Sequence, residues 1–381
     1  MTEETLKSAF DLCVSKTRLN IEAMVDHPTT WAFAQNGDYA AWPEGFFEIG
    51  NWTNSFFTGM AVLSWLDTKE PHFLKQLERI EPFYNAKVNV AIHAVETMHD
   101  IGFLYSLYSV ALYKNTGDKR QRALGLRAAE VLVGRFVPEG NYIRAWGRMD
   151  EPDTDYAGLA IIDCMMNLPL LFWAAEETGD ARFREIAIRH ADTTLANFVR
   201  ADDSVYHSFR FNADGSPKGG DNYCGRGIES HWARGTTWAM YGFAMAYRYT
   251  GDERYLDASL RVTRKFLSLL DDEVVPVWDF RLNPGEPLLR DSSAAAVAAC
   301  ALQELEALGK SEDAFGVAKD NLIARLCSED YLNADPAVRG LLRDAEVGDG
   351  VGKARSAYTS WGDYYFMEAL GRELGLAVNW W

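Results

Sequence analysis

The sequence predicts an all-α fold, an (α/α)6 barrel of six inner and six outer helices. Three observations predict it. A short phrase recurs at helix junctions: Tyr113-Lys114-Asn115-Thr116-Gly117-Asp118, Glu177-Thr178-Gly179-Asp180 and Tyr249-Thr250-Gly251-Asp252, with weaker versions at 66–70 and 309–313. In each, Gly suits the left-handed residue that ends one helix and Asp suits the cap of the next. The runs flanking each junction also differ in kind, Ala- and aromatic-rich before it, charged and amphipathic after it. Finally, the junctions divide the chain into about six helical pairs of roughly 50–70 residues, a period that indicates stacked helical hairpins.

Taken in order, the amphipathic members fall near 3–25, 72–85, 119–136, 182–200, 253–271 and 313–328. Each should turn one face to solvent. Their partners fall near 52–66, 97–114, 158–176, 230–249, 292–308 and 358–374 and should be buried all round. Six buried helices inside six outer ones make a closed barrel; an open solenoid of hairpins is the competing arrangement. Long connectors, such as 26–51, 137–157 and 201–229, lead into the N-terminal ends of the inner helices, and Val274–Phe280 predicts a short strand within one of them. No Ser/Pro-rich linker divides the chain, so residues 1–381 are expected to form a single domain. The inner-helix N-termini meet at one mouth, where their positive dipole ends favour an anion.

Composition narrows the chemistry. Hydrophobic residues make up 48% and aromatics 13% of the 381 residues, enough for a large core. The formal net charge of −17 argues against nucleic acid or an anionic membrane as partner, and obliges any anionic substrate to find a local pocket. Five cysteines, Cys13, Cys164, Cys224, Cys300 and Cys327, show no metal-ligand or disulfide spacing, which fits a reducing compartment. With no signal-peptide core in 1–18 and no apolar run of membrane-spanning length, a cytoplasmic protein is expected. No Gly-rich phosphate loop, HExxH or GxSxG occurs, so no cofactor, metal or serine nucleophile is called for.

The mouth carries the candidate site. His231-Trp232-Ala233-Arg234-Gly235-Thr236-Thr237-Trp238 places an arginine between two tryptophans, a combination suited to a sugar acid: aromatic faces stack on a pyranose and a guanidinium forks onto a carboxylate. The bland alternative is a Trp-rich core helix with one snorkelling Arg. Trp52 opens the first inner helix as stacking wall or core. His99-Asp100-Ile101-Gly102-Phe103 opens the second, with Asp100 an N-cap or a carboxylate held at the site. Asp163 is the only charge between Asp155 and Glu176. A lone acid in an apolar helix is costly unless paired or used, and burial raises its pKa toward that of a general acid; a structural tie to backbone or Arg144 is the alternative. On the connectors, Trp146 is a candidate stacking residue and His207 a candidate hydrogen-bonding one. Asp291 reads as the N-cap of the fifth inner helix, and Trp361-Gly362-Asp363-Tyr364 reads as either core or site.

Together these motifs resemble glycoside hydrolase family 88, the unsaturated glucuronyl hydrolases. The resemblance rests on Asn51–Gly59, His99–Phe103, Asp163-Cys164-Met165-Met166-Asn167-Leu168-Pro169-Leu170-Leu171, Trp232–Gly235, Val275–Phe280, Arg290-Asp291-Ser292-Ser293-Ala294-Ala295 and Trp361–Tyr364, in the family's order across nearly the whole chain. It implies an (α/α)6 barrel that removes the 4,5-unsaturated uronic acid from the non-reducing end of lyase-generated oligosaccharides. An acid protonates C4 of the vinyl ether, water adds at C5, and the product rearranges. By motif position Asp163 resembles the family's acid/base and Asp100 its second essential Asp. Trp52, Trp146, His207, Trp232, Arg234 and Trp238 fall where the family lines its sugar pocket, and His99, beside Asp100, is a further substrate-binding candidate. One departure stands out: upstream of Trp232 the family often has a Gln-Gly-Tyr run, whereas here the chain reads Tyr223-Cys224-Gly225-Arg226. Arg226 is therefore expected to face the uronate or a sulfate. The competing functions are an unsaturated rhamnogalacturonyl hydrolase on pectin fragments, an (α/α)6 sugar epimerase, which would want histidine bases at the mouth, and a non-catalytic sugar-binding barrel.

Overall fold

The structure is a computed structural model describing residues 1–26, 33–34, 39, 52–151, 154–348 and 357–381. In chain order the helices are α1 (Glu3–Asp26), α2 (Asn54–Thr68), α3 (Pro71–Arg79), α4 (Glu81–Asn89), α5 (Ala91–Glu96), α6 (Ile101–Tyr105), α7 (Ala111–Thr116), α8 (Lys119–Val133), α9 (Leu168–Thr178), α10 (Ala181–Asn197), α11 (Ala233–Thr250), α12 (Glu253–Ser268), α13 (Ser292–Ala307), α14 (Asp313–Leu326) and α15 (Ser360–Glu373). A π-helical segment, Ser106–Val110, joins α6 to α7, so the predicted helix over 97–114 is one rod with an irregular middle.

The junction phrases act as predicted. Gly117, Gly179 and Gly251 take positive φ, and Asp118, Asp180 and Asp252 each accept the backbone N–H two residues on. At the weaker 66–70 junction Lys69 takes the left-handed position instead. Burial separates the two rings. Every residue of α13 from Ser292 to Leu305 is buried, as is every residue of α11 from Ala233 to Ala246. In α12 only one stripe is, including Tyr255, Ser259, Val262 and Phe266. Inner elements pack in the cyclic order α2, α6, α9, α11, α13, α15 and back to α2, which closes the barrel and excludes the open solenoid. The outer helices α1, α3, α8, α10, α12 and α14 back this ring.

Three elements depart from expectation. The run 158–176 is not one helix: it is strand β4 (Leu159–Ile161), a 3-10 segment (Ile162–Met166) and then α9. The run 72–85 is broken into α3 and α4. Val274–Phe280 forms no strand, only single bridges, Trp232 to Asp279 and Val277 to Arg290.

The connectors carry the strands. β1 (Phe33–Ala34) pairs with β7 (Tyr358–Thr359), β2 (Phe136–Val137) with β3 (Tyr142–Ile143), and β4 with β5 (Ser208–Phe211), which pairs on its other side with β6 (Pro217–Asp221); all are antiparallel. Most of the 26–51 connector, including Asn51, lies outside the described residues. No helix of the described residues is long and apolar enough to cross a membrane.

Candidate active site

The β4–β5 register brings two candidates together. Ile161 lies opposite Ser208, and Ile162 N–H donates to His207 O at 3.0 Å, so Asp163 and His207 emerge side by side. His207 Nδ1 accepts both the Tyr223 and Cys224 N–H groups at 3.0 Å. That leaves the ring proton on Nε2, which faces Asp163 Oδ2 at 4.0 Å. Burial, with the Arg234 charge added, pushes His207 down to about 3, so the ring stays neutral.

Asp163 sits on the 3-10 segment at the mouth rather than within an inner helix. Its Oδ2 has no hydrogen-bond partner, and its side chain keeps 17% exposure, an opening for a ligand. Burial raises its carboxyl to about 7, against the opposing pull of Arg234. Arg144 is not its partner: that guanidinium bonds Trp146 O and Thr154 Oγ1.

Asp100 precedes α6, but its carboxylate caps nothing. It is pushed up to about 8 by burial first and by the like charge of Asp163 second, with Arg135 and Lys87 opposing. Two facing acids that cannot both ionise cheaply are a recognised way of keeping one protonated near neutrality. Asn167 holds the two carriers in register. Its Oδ1 accepts Phe103 N–H at 2.6 Å, and its Nδ2 donates to Asp163 O at 3.2 Å. Gly102 permits this, because a Cβ there would fall on the Asn167 backbone and side chain.

An aromatic and cationic wall continues around the mouth. Trp52 stacks on Trp361 with centroids 4.7 Å apart. The Arg234 guanidinium lies 5.3 Å from the Trp361 ring and 4.6 Å from that of Trp232, and Trp232 meets His207 edge-on at 4.6 Å. Three inner helices, α2, α11 and α15, and the connector that carries His207 contribute to this one surface.

Other candidates are placed differently. Arg234 is not an open fork: Nη1 bonds Asp291 Oδ2 at 2.6 Å, Ser293 Oγ at 3.1 Å and Glu346 O at 2.9 Å, and Nη2 bonds Val347 O at 2.8 Å. It pins α11 to α13 and to the segment after Asp344, and reaches Asp163 and His207 through its charge. Arg226 is likewise committed, with Nε and Nη2 on Glu286 at 2.6 and 2.9 Å; an acid already neutralises the cation expected to meet a uronate or sulfate. Trp238 is fully buried between Phe103 and Tyr365, which makes it core beneath the wall. His99 is 1% exposed, with Nε2 3.5 Å from Asp100 Oδ1, so it lies behind Asp100. Trp146 is half-buried against Tyr223 and Tyr156 on the connector side.

Asn167 and Ser293 were not singled out by sequence, and Trp361 was undecided there. Asn167 followed by Leu168-Pro169 is a helix-entry signal that would have marked it. Ser293 joins Arg234, Asp291 and the Trp361 indole, which donates to it at 3.2 Å. Asp291 caps α13, as expected, by accepting from Ser293 N and Ala294 N. Among the described residues no group of three or more His, Cys, Asp or Glu is placed to hold a metal ion.

Comparison with known proteins matches this architecture. Residues 17–282 fit the model of Glycosyl Hydrolase Family 88. An unsaturated glucuronyl hydrolase of Bacillus sp. (strain GL1) is 35% identical over 340 residues, 87% of this chain and 88% of that protein. An unsaturated chondroitin disaccharide hydrolase of Streptococcus pneumoniae is 33% identical, covering 98% of this chain and 92% of that one. The crystal structure of the unsaturated glucuronyl hydrolase from Bacillus sp. GL1 superposes with a TM-score of 0.88 at 32% identity, covering 99% of both chains. The chain belongs to glycosyl hydrolase family 88 and is a glycoside hydrolase built on an (α/α)6 barrel.

Proposed function

We propose that this enzyme removes a 4,5-unsaturated uronic acid from the non-reducing end of lyase-generated oligosaccharides, with Asp163 as acid/base and Asp100 as its partner. The observation that carries the assignment of roles is Asp163 itself: partly exposed at the mouth, with Oδ2 buried and unpaired, raised to about 7, and facing a neutral imidazole N–H. Such an acid is protonated at working pH yet able to give its proton up. The names of the Bacillus and Streptococcus relatives support the substrate class, unsaturated glucuronides and chondroitin disaccharides.

The steps balance without a further group. The C4=C5 pair takes the Asp163 proton at C4, leaving a C5 cation stabilised by the ring oxygen. Water bonds to C5 and returns a proton to the Asp163 carboxylate. The resulting hemiketal breaks its C5–ring-oxygen bond, and C1, now a hemiacetal, releases the second sugar. The neutral Nε2–H of His207 faces the carboxylate that forms in the first step, where a preorganised donor acts on developing charge. Asp100 stands beside it, itself pushed up to about 8 by burial and by the like charge of Asp163, so it meets the substrate as a second neutral acid until Asp163 has given up its proton. Trp52, partly exposed and backed by the buried Trp361 ring, offers a face to the sugar ring, and the buried Trp232 supports His207 from behind. The substrate-binding roles of Trp146, Arg234, Trp238, His99 and Arg226 are, on this geometry, indirect or peripheral.

The test is loss of ultraviolet absorbance from the C4=C5 bond on incubation with unsaturated disaccharides, sulfated and unsulfated, without added metal. Loss of the signal with release of the second sugar is expected for wild type and absent in Asp163→Asn. Turnover by Asp163→Asn near the wild-type rate would remove Asp163 as the acid.

A further inference from the structure

Behind Asp100 lies a pair of histidines that the reaction as derived does not use. His190, on α10, is fully buried, and its Nδ1 accepts the Ile143 N–H at 2.9 Å. The ring proton is therefore on Nε2, and Nε2 has no hydrogen-bond partner. His99 shows the complementary vacancy: Nδ1 is buried without a partner, while Nε2 stands 3.5 Å from Asp100 Oδ1. The two residues dock on one extended segment. His99 N–H donates to Ala145 O at 2.9 Å, two residues along from the Ile143 N–H that His190 accepts. Groups at i and i+2 of an extended segment point to the same edge, about 7 Å apart. One orphan donor and one orphan acceptor, both on imidazoles, thus lie along the same edge, and a buried polar group without a partner is rare enough to need a reason.

We propose that His190 and His99 form a two-imidazole relay, bridged by one buried water, that fixes the proton of His99 on Nε2 and aims it at Asp100. Both are positioning residues, since neither touches the sugar. Burial holds both rings well below the ordinary imidazole range, so each stays neutral with one donor and one acceptor, as a relay requires. Asp100 is also faced by Asp163 from the 3-10 segment, by Arg135 from the end of α8 and by Lys87 from α4. The relay adds the directional contact that those charges lack. The inference rests on the assignment of Asp100 to the catalytic pair.

Two measurements test it. In wild-type enzyme with 15N-labelled histidine, ring nitrogen shifts should give both His99 and His190 as the Nε2–H tautomer; an Nδ1–H tautomer at His99 overturns the proposal. His190→Asn keeps an acceptor near the Nδ1 position for Ile143 N–H but deletes the Nε2 donor. It should lower kcat about tenfold with KM changed less than twofold, and His99 should lose its single tautomer. An unchanged kcat with an unchanged His99 tautomer in a folded variant refutes the relay. Wild-type activity in Asp100→Asn would instead sink the catalytic pair, while the tautomers of the native enzyme remain to be read on their own.

Discussion

At the scale of single residues, the site is built at the expense of stability. Asp163 is buried and its carboxyl is raised from 3.8 to about 7. A folded-state pKa above the unfolded value means that the unfolded chain releases its proton first as pH rises. The resulting cost is absent below about pH 4, grows between about pH 4 and 7, and is full above that. Asp163→Asn removes the ionisable group, so this variant should be more stable than wild type at pH 7.5 by on the order of 2 kcal/mol. The difference should vanish near pH 4. Calorimetry at both pH values checks this; equal stability at pH 7.5 would mean that Asp163 is not under strain. The same titration sets activity: kcat/KM should fall as pH rises past about 7, where the acid loses its proton. Asp163 was legible in the sequence because a lone carboxylate in an apolar run is conspicuous. The partners of Arg234 were not legible for a related reason. Sequence shows a cation between tryptophans, but not that Asp291, fifty-seven residues on, already holds it.

At the scale of elements, the two acids depend on one interlock. Asp100 leads into α6 and Asp163 lies on the 3-10 segment, and these meet where Asn167 grips Phe103 N–H and Asp163 O over the bare face of Gly102. Gly102→Ala would push these elements apart. It should cost about 1–3 kcal/mol of stability, as overpacking does, and lower kcat at least tenfold by spoiling the geometry of the pair. A variant with lowered melting temperature but full kcat would show that the spacing of the acids tolerates the shift. Junctions were the most readable elements, because Gly and Asp act locally. The run 158–166 was misread as helix because a short apolar stretch has no decisive period. The β-branched Ile161-Ile162 and the helix-starting Pro169 were the signals for a strand followed by a new helix. The pairing of β4 with β5, which delivers His207 to Asp163, is a long-range event that neither segment encodes alone.

At the scale of the molecule, the hairpin period encodes the ring, and contacts such as Trp52 on Trp361, Arg234 on Asp291 and Phe103 on Asn167 join the N-terminal ends of its inner helices at one mouth. The electrostatics of that mouth follow from how its cations are spent. The net charge is −17, while Arg234 is paired with Asp291, Arg226 with Glu286, Arg210 with Asp221 and Arg148 with Asp150 and Glu96. Arg135 and Arg144 have no carboxylate partner but are buried against backbone carbonyls, so the exposed cations named here are all matched by acids and a uronate approaches against the global field. Salt should then help rather than hinder. Raising ionic strength from about 10 mM to 150 mM shortens the Debye length from about 30 Å to 8 Å. This screens long-range repulsion while leaving contacts in the buried site almost untouched. The expected result is a two- to fivefold rise in kcat/KM for an unsaturated disaccharide with kcat unchanged, read from steady-state absorbance decay. A fall in kcat/KM over the same range would mean that a local positive field at the mouth outweighs the charge of the whole chain, and that the paired arginines still steer the substrate.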